Sequence, residues 1–168
     1  MTAWIIVKML HIFAGVFWTG AAALLVFFIV PSAGAAGPTA GPFMNHLNGK
    51  LKLPRVVLWA AAITVVAGYA LLWKVSGGFS DAYFSNPSAH AMSLGAVTGT
   101  IAFFIAMMVQ IPRSRRIAEK TVQLSENKDD KTLAEDLANE RRKFTLGGRI
   151  IMVLLTITLI TMVMVHPM

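Results

Sequence analysis

The sequence contains no cysteine. This absence excludes disulfide bonds, thiolate zinc sites, iron–sulfur clusters and a cysteine nucleophile. Any bound metal therefore has to be held by imidazole, thioether, carboxylate or backbone oxygen. Charge is also scarce, since 14% of the side chains are charged, against roughly 25% in a soluble domain. Together with 56% hydrophobic residues and a mean hydropathy of +0.65, this scarcity excludes an ordinary soluble domain.

Four apolar runs are each long enough to cross a bilayer, for which about 20 residues suffice. They predict an all-α fold, a membrane four-helix bundle in one transmembrane domain over 1–168. The first run is too long, and too rich in bulky aromatic residues, for a cleavable signal peptide. We expect Pro31 and Pro112 to end the first and third spans, Ser88 to cap the third, and the Gly/Ala/Pro-rich stretch 31–42 to form a loop. The predicted spans are about 3–30, 53–73, 88–111 and 146–165.

The segment 112–148 is the part of the sequence that looks soluble. Helical spacing recurs over 113–124 and 129–144, which predicts a short cytoplasmic helical hairpin between the third and fourth spans. Asp130 or Asp129 is expected to cap the second of these helices. The plainer interpretation of the hairpin is a solvated face with juxtamembrane anchors, and the alternative is a docking surface for a partner.

Lysine and arginine are concentrated in two of the three connections. The first connection holds three and the third holds ten, whereas the second has only Lys74 at its edge. This asymmetry predicts a multi-pass protein of the bacterial inner membrane with both basic connections in the cytoplasm and both termini outside. Trp4, Tyr69 and Trp73 would then join the outer aromatic belt. The expected partner of the net charge of +7 is the anionic inner leaflet rather than nucleic acid.

The histidines are the strongest candidates for chemistry, because ionisable residues at membrane depth are usually functional and the spans contain no carboxylate. At a rise of about 1.5 Å per residue, His11, His90 and His166 lie about 28, 31 and 26 Å above the inner ends of their helices. Three histidines are therefore predicted at one level near the outer face.

The residues around His11 favour a flat cofactor. Gly15 and Trp18 follow His11 at i+4 and i+7, which places them on its helix face as open space and an aromatic wall. This pattern predicts haem b held between His11 and His90, with His166 as the reserve metal ligand. The function expected of such a site is electron transfer, or a place as a subunit in a membrane redox complex.

Each of these residues also has a plainer interpretation. His11 could bond a neighbouring backbone, His90 could be an interfacial polar residue, His166 an exposed end residue and His46 a solvated loop residue. The ten methionines permit copper transport or handling instead, since thioether and imidazole favour Cu(I). However, Met92 lies two residues from His90, which places the two on different helix faces, so packing is the plainer role of the methionines. A metal-free accessory or scaffold subunit is the third alternative.

The stretch Lys8–Gly20, with its Leu-His-Ile element followed by Trp-x-Gly, resembles the first helix of a superfamily of small bacterial four-helix membrane proteins. The superfamily includes CopD-type copper-resistance domains, HemJ-type protoporphyrinogen oxidases and related uncharacterised proteins. The run 41–55, followed by Gly68, Tyr69 and Trp73, looks most like the uncharacterised branch. The resemblance implies a haem-b-binding or copper-handling membrane protein with His11 as the ligand from the first helix. It leaves open whether the protein is an enzyme, and whether it works with a redox partner or as a homo-oligomer.

Overall fold

The computed structural model describes residues 2–127 and 129–164 and is helical, without strands, over that part of the chain. Four helices are long and apolar enough to span a membrane, which confirms the number and order of the predicted spans. We label them α1 to α4. Helix α1 comprises Thr2–Leu24, Leu25–Ile29 and Val30–Ala36; α2 is Leu53–Val75; α3 comprises Pro87–Ile105, Ala106–Gln110 and Ile111–Glu126; and α4 is Lys131–Met164.

Pro31 does not end α1, so that sequence prediction is wrong. A proline lacks the N–H that would bond the carbonyl four residues earlier, and its ring crowds that carbonyl. Helix α1 accommodates Pro31 by widening the preceding turn, Leu25–Ile29, into a π-helix, in which the Val30 N–H donates to the Leu25 carbonyl. The helix then continues to Ala36 with Pro31 in a first-turn position, where proline is tolerated.

Helix α3 passes Pro112 in the same way. The turn Ala106–Gln110 is π-helical, and the Ile111 N–H donates to the Ala106 carbonyl immediately before the proline. The helix continues to Glu126, so the predicted end at Pro112 is also wrong. Each proline therefore widens one turn of a continuous helix. The two widened turns, Leu25–Ile29 and Ala106–Gln110, lie near each other in the fold.

The stretch 31–42 is helical rather than the predicted loop. Beyond the end of α1 come a 3₁₀ turn, Gly37–Ala40, and a short helix, Gly41–Asn45. Alanine is a strong helix former, and Pro31 and Pro42 both occupy first-turn positions, so neither breaks a helix. The change of direction comes from Gly37, whose φ of 61° ends α1.

The start of α3 also differs from the prediction. The helix begins at Pro87, so Ser88 lies inside it and is not the N-cap. Proline is favoured at the first helical position because its missing N–H would be unpaired there anyway. Asn86 therefore occupies the capping position, and its carbonyl accepts the N–H of Ala89 at 3.0 Å.

The helices pack as two pairs that contact each other. Helix α1 lies along α2, α3 lies along α4, and α2 contacts α3. Small residues on α2 and α3, such as Ala61 and Ala102, let the pairs meet around the buried indole of Trp18. Ile151 and Leu155 of α4 complete this core. The core is thin, and large apolar side chains such as Phe13 and Trp59 are more than half exposed, as expected for a surface that faces lipid.

The charged ends of α3 and α4 pack against each other through Leu137, which is buried. Asp130 is the N-cap of α4, since its carboxylate accepts the Leu133 N–H at 2.9 Å. The sequence left Asp129 and Asp130 as alternative caps, and in the structure Asp130 is the cap. Ion pairs cross between the helices, Arg113 with Glu140 at 3.3 Å and Lys120 with Asp136.

Candidate functional site: a cavity at His11

A cavity of about 150 Å³ lies between the four long helices, toward the N-terminal end of α1. We call it the outer cavity, since the sequence predicts this end to be outside. Most of its lining is apolar. Three of the lining side chains carry atoms that bind soft metals, and they come from three helices: His11 of α1, Met92 of α3 and Met162 of α4.

The His11 imidazole is oriented by a backbone carbonyl. Its Nδ1 lies 2.8 Å from the carbonyl oxygen of Thr64 on α2. A carbonyl can only accept, so Nδ1 carries a hydrogen, and in the neutral imidazole the lone pair is on Nε2. Within residues 2–127 and 129–164, no hydrogen-bond partner is found for Nε2. This is the arrangement in which metal-binding histidines are held in proteins, with one nitrogen bonded to the protein and the other available.

Gly68 leaves the space that the His11 imidazole occupies between α1 and α2. A Cβ atom at Gly68 would lie 2.9 Å from Cε1 of His11 and 3.1 Å from Nδ1. Any larger residue at this position would therefore push the ring away from the Thr64 carbonyl. Neither Thr64 nor Gly68 was identified as a site residue from the sequence, because the periodicity of one helix does not show which residues of another helix lie opposite.

The Met92 thioether is held by a phenol. Tyr83, in the short helix Asp81–Phe84 outside the spans, donates its hydroxyl hydrogen to Met92 Sδ over 3.1 Å. Burial raises the pKa of the Tyr83 phenol, so it remains a donor at neutral pH. A sulfur that accepts one hydrogen bond retains a second lone pair for a metal.

Met162 reaches the cavity because α3 carries a glycine opposite it. A Cβ atom at Gly95 would lie 2.9 Å from Met162 Cε and 2.6 Å from Thr161 Oγ1. Gly95 and Gly99 both face Thr158 or its neighbours on α4. A hydrogen bond of 2.8 Å between the hydroxyls of Thr98 and Thr158 joins the same two helices.

Trp18 lines the outer cavity together with His11 and is 3% exposed. It closes the inner end of the cavity below His11. Gly15, predicted to leave space beside His11, serves a different contact, because a Cβ atom there would lie 3.3 Å from Thr64 Cγ2. The small size of Gly15 lets α1 approach α2, and Gly15 is not among the residues that line the cavity.

The structure does not bring His90 into this cavity. His90 is exposed, and its Nε2 lies 3.0 Å from the carbonyl oxygen of Phe84, which precedes α3. His46 is also exposed, in the π-helical turn His46–Lys50. His166 lies outside the described residues. In the described part of the chain, no three residues of the types His, Cys, Asp and Glu are grouped so that they could hold a metal.

The outer cavity is small for an organic cofactor. Sites for organic ligands of drug size occupy roughly 300–1,000 Å³, whereas this cavity has about 150 Å³. A volume of this size would accommodate a single ion. A haem macrocycle would require the helices to separate and, with His90 outside, a second axial ligand other than histidine.

Searches with the whole chain find no matching protein-family model, no matching curated protein and no matching solved structure. The functional argument therefore depends on the residues and the geometry described above.

Proposed function

We propose that this protein is a copper-handling protein of the bacterial inner membrane that holds Cu(I) in the outer cavity. The ligands are Nε2 of His11 and the sulfurs of Met92 and Met162. The proposal includes the architecture predicted from the sequence: a membrane four-helix bundle with a cytoplasmic helical hairpin and both termini outside. The observation that supports it most is the His11 ring, which is bonded to the protein through Nδ1 and lines a cavity that Met92 and Met162 also line.

The chemistry of the ligands favours a monovalent soft ion. Thioether and imidazole prefer Cu(I), whereas Mg²⁺ and Ca²⁺ require oxygen ligands. The three ligands are neutral and the cavity is mainly apolar, so the charge of the ion stays uncompensated. Because the cost of moving an ion out of water rises steeply with its charge, such a site penalises Zn²⁺ and Cu²⁺ more than Cu(I).

Haem b remains the second candidate, because an imidazole oriented in this way is equally a haem ligand. In this case His11 would be one axial ligand, and a methionine of the cavity would replace His90 as the other. The protein would then transfer electrons, alone or with a redox partner in the membrane. A scaffold without a metal is the outcome if neither ligand binds.

The test is an anaerobic titration of the purified protein in detergent with Cu(I), in competition with a chromogenic Cu(I) chelator. We expect one Cu(I) per chain, and a loss of binding by at least about tenfold in His11→Ala, in line with the cost of losing a metal ligand or its support. Met92→Leu with Met162→Leu should weaken binding in the same way. His90→Ala is the matched control and should bind as the wild type does.

The optical spectrum of the same preparation separates the candidates. A Soret band that shifts on reduction with dithionite and is lost in His11→Ala would support haem b instead of copper. If Cu(I) does not bind, or binds equally well to His11→Ala, the copper proposal is rejected.

A further inference from the structure

A second cavity, of about 160 Å³, lies on the other side of Trp18. We call it the inner cavity, since it is at the end of the helices that carries the basic connections. Trp18 lines both cavities and so forms the wall between them. The lining of the inner cavity is mostly apolar, and four of its residues carry amide or hydroxyl groups: Asn48, Gln110, Ser114 and Thr145.

Both π-helical turns contribute residues to the lining of the inner cavity. Its lining includes Leu25 and Val26 from the π-helical turn of α1, and Ala106 and Gln110 from that of α3. These are the turns that accommodate the two prolines. Such π-bulges are frequent at functional sites because they displace the neighbouring side chains.

Gln110 closes the wall of this cavity toward α4. The residue is 8% exposed, and its Nε2 donates to the Phe144 carbonyl at 2.9 Å. Its amide lies flat on Gly147, where a Cβ atom would be 2.9 Å from Oε1. These contacts of Gln110 hold α3 against α4, and they therefore help to maintain the inner cavity beside them.

Unpaired cations border the residues that line the inner cavity. Lys52 and Arg55 flank Leu53 and Pro54, which line it, and Arg149 follows the lining residue Gly148. All three cations are exposed, and within the described residues none of them forms an ion pair. An apolar cavity bordered by unpaired cations is complementary to a molecule with a hydrocarbon chain and an anionic head.

We propose that the inner cavity binds an acyl chain of an anionic phospholipid of the cytoplasmic leaflet. The phosphate would be held by Lys52, Arg55 and Arg149, and the chain would extend toward Trp18. A free anion would leave the cavity unfilled, and a neutral lipid would leave the cations unpaired. Basic pockets between membrane helices on the cytoplasmic side recognise anionic headgroups in this manner. The proposal depends on the predicted orientation in the membrane and not on copper binding.

The experiment is native mass spectrometry of the detergent-solubilised protein with added lipid. Phosphatidylglycerol is compared with phosphatidylcholine of the same acyl chains, and inorganic phosphate is a third ligand. We expect phosphatidylglycerol to be retained in preference to phosphatidylcholine. The variant with Lys52→Gln, Arg55→Gln and Arg149→Gln should lose this preference, by about fivefold for each cation removed.

Two further variants make the test specific. The control with Arg116→Gln, Lys131→Gln and Arg142→Gln loses the same charge from exposed positions in the hairpin and should retain the preference. Ala106→Leu narrows the cavity and should weaken binding of both lipids, with the melting temperature of the lipid-free protein showing that it still folds. Equal retention of the two lipids by the wild type, or an unchanged preference in the first variant, would overturn the proposal. Binding of inorganic phosphate as strong as that of phosphatidylglycerol would also overturn it, in favour of a site for a soluble anion.

Discussion

His11 donates its Nδ1 hydrogen to the backbone carbonyl of Thr64 over 2.8 Å, and this bond joins α1 to α2 at the level of the outer cavity. It leaves Nε2 as the ring nitrogen without a hydrogen-bond partner among the described residues. Because the acceptor is a backbone atom, no substitution of the Thr64 side chain removes it. The role of the bond is therefore tested by a substitution that takes up part of the space that the His11 ring occupies.

Gly68→Ala should weaken Cu(I) binding without removing any ligand. The new methyl group would lie 2.9 Å from His11 Cε1 and 3.1 Å from Nδ1, so the ring must shift, and we expect its bond to Thr64 to weaken. Loss of such support costs roughly 10–100-fold in metal affinity, which the chelator competition would measure. The matched control is Gly20→Ala, since the Cβ position there has no neighbour within 4 Å. Equal affinities in the two variants would show that the position of the ring does not matter.

Gly95→Ala should destabilise the contact between α3 and α4. Its Cβ atom would lie 2.6 Å from Thr161 Oγ1, closer than real contacts allow, so the side chains of α4 or the helices themselves must shift. Overpacking of this kind costs about 1–3 kcal/mol, which would appear as a lower melting temperature in detergent. Gly34→Ala has open space around it and should instead stabilise α1, by up to about 1 kcal/mol of helix propensity. A Gly95→Ala protein as stable as Gly34→Ala would contradict the packing described.

The ion pair between Lys120 and Asp136 should make the hairpin sensitive to acid. The hydrogen bond from Lys120, followed by the charge of Lys120, lowers the pKa of the Asp136 carboxyl below its ordinary value of 3.8. A carboxyl whose pKa is lower in the folded state contributes stability above its unfolded pKa and loses it as the pH falls through the folded pKa. Between about pH 5 and pH 3, Asp136→Asn should therefore show a smaller decrease in melting temperature than the wild type. Parallel decreases would indicate that the pair contributes nothing, as many exposed pairs do.

The orientation in the membrane is directly testable, because the chain has no cysteine that would react in the background. Ala82→Cys lies between α2 and α3, and Ala118→Cys lies in the hairpin; both positions are exposed. In intact cells whose outer membrane is permeabilised, a maleimide that cannot cross the inner membrane should label the first and not the second. The opposite pattern would show that the topology is reversed, and it would contradict the proposal that the inner cavity binds a lipid of the cytoplasmic leaflet.

The sequence predicts the helices better than their ends. Apolar runs reveal the four spans, and Asp130 is recognisable as a cap because a short acceptor precedes a helical pattern. Pro31 and Pro112 misled the prediction, since a proline within a helix is tolerated when the preceding turn widens, and the sequence pattern does not show that widening. The same two turns contribute to the lining of the inner cavity, which the sequence does not predict.

The sequence predicts only part of the site, because it shows the position of a residue along its helix but not which residues of other helices lie opposite. The rise per residue gives the height of a side chain along its helix, so His11 and His90 were expected at one level. It does not give the direction in which each ring points relative to other helices, and His90 lies outside the cavity. Trp18 could be identified because it shares a face with His11 on one helix, whereas Thr64, Gly68 and Met162 come from other helices.

X-ray absorption spectroscopy at the copper edge, on protein loaded with one equivalent of Cu(I), tests the central claim most directly. The account predicts one nitrogen and two sulfur neighbours around the metal in the wild type, with the nitrogen lost in His11→Ala and one sulfur lost in Met162→Leu. A metal surrounded by nitrogen or oxygen without sulfur, or a spectrum that is the same in His11→Ala, would contradict it.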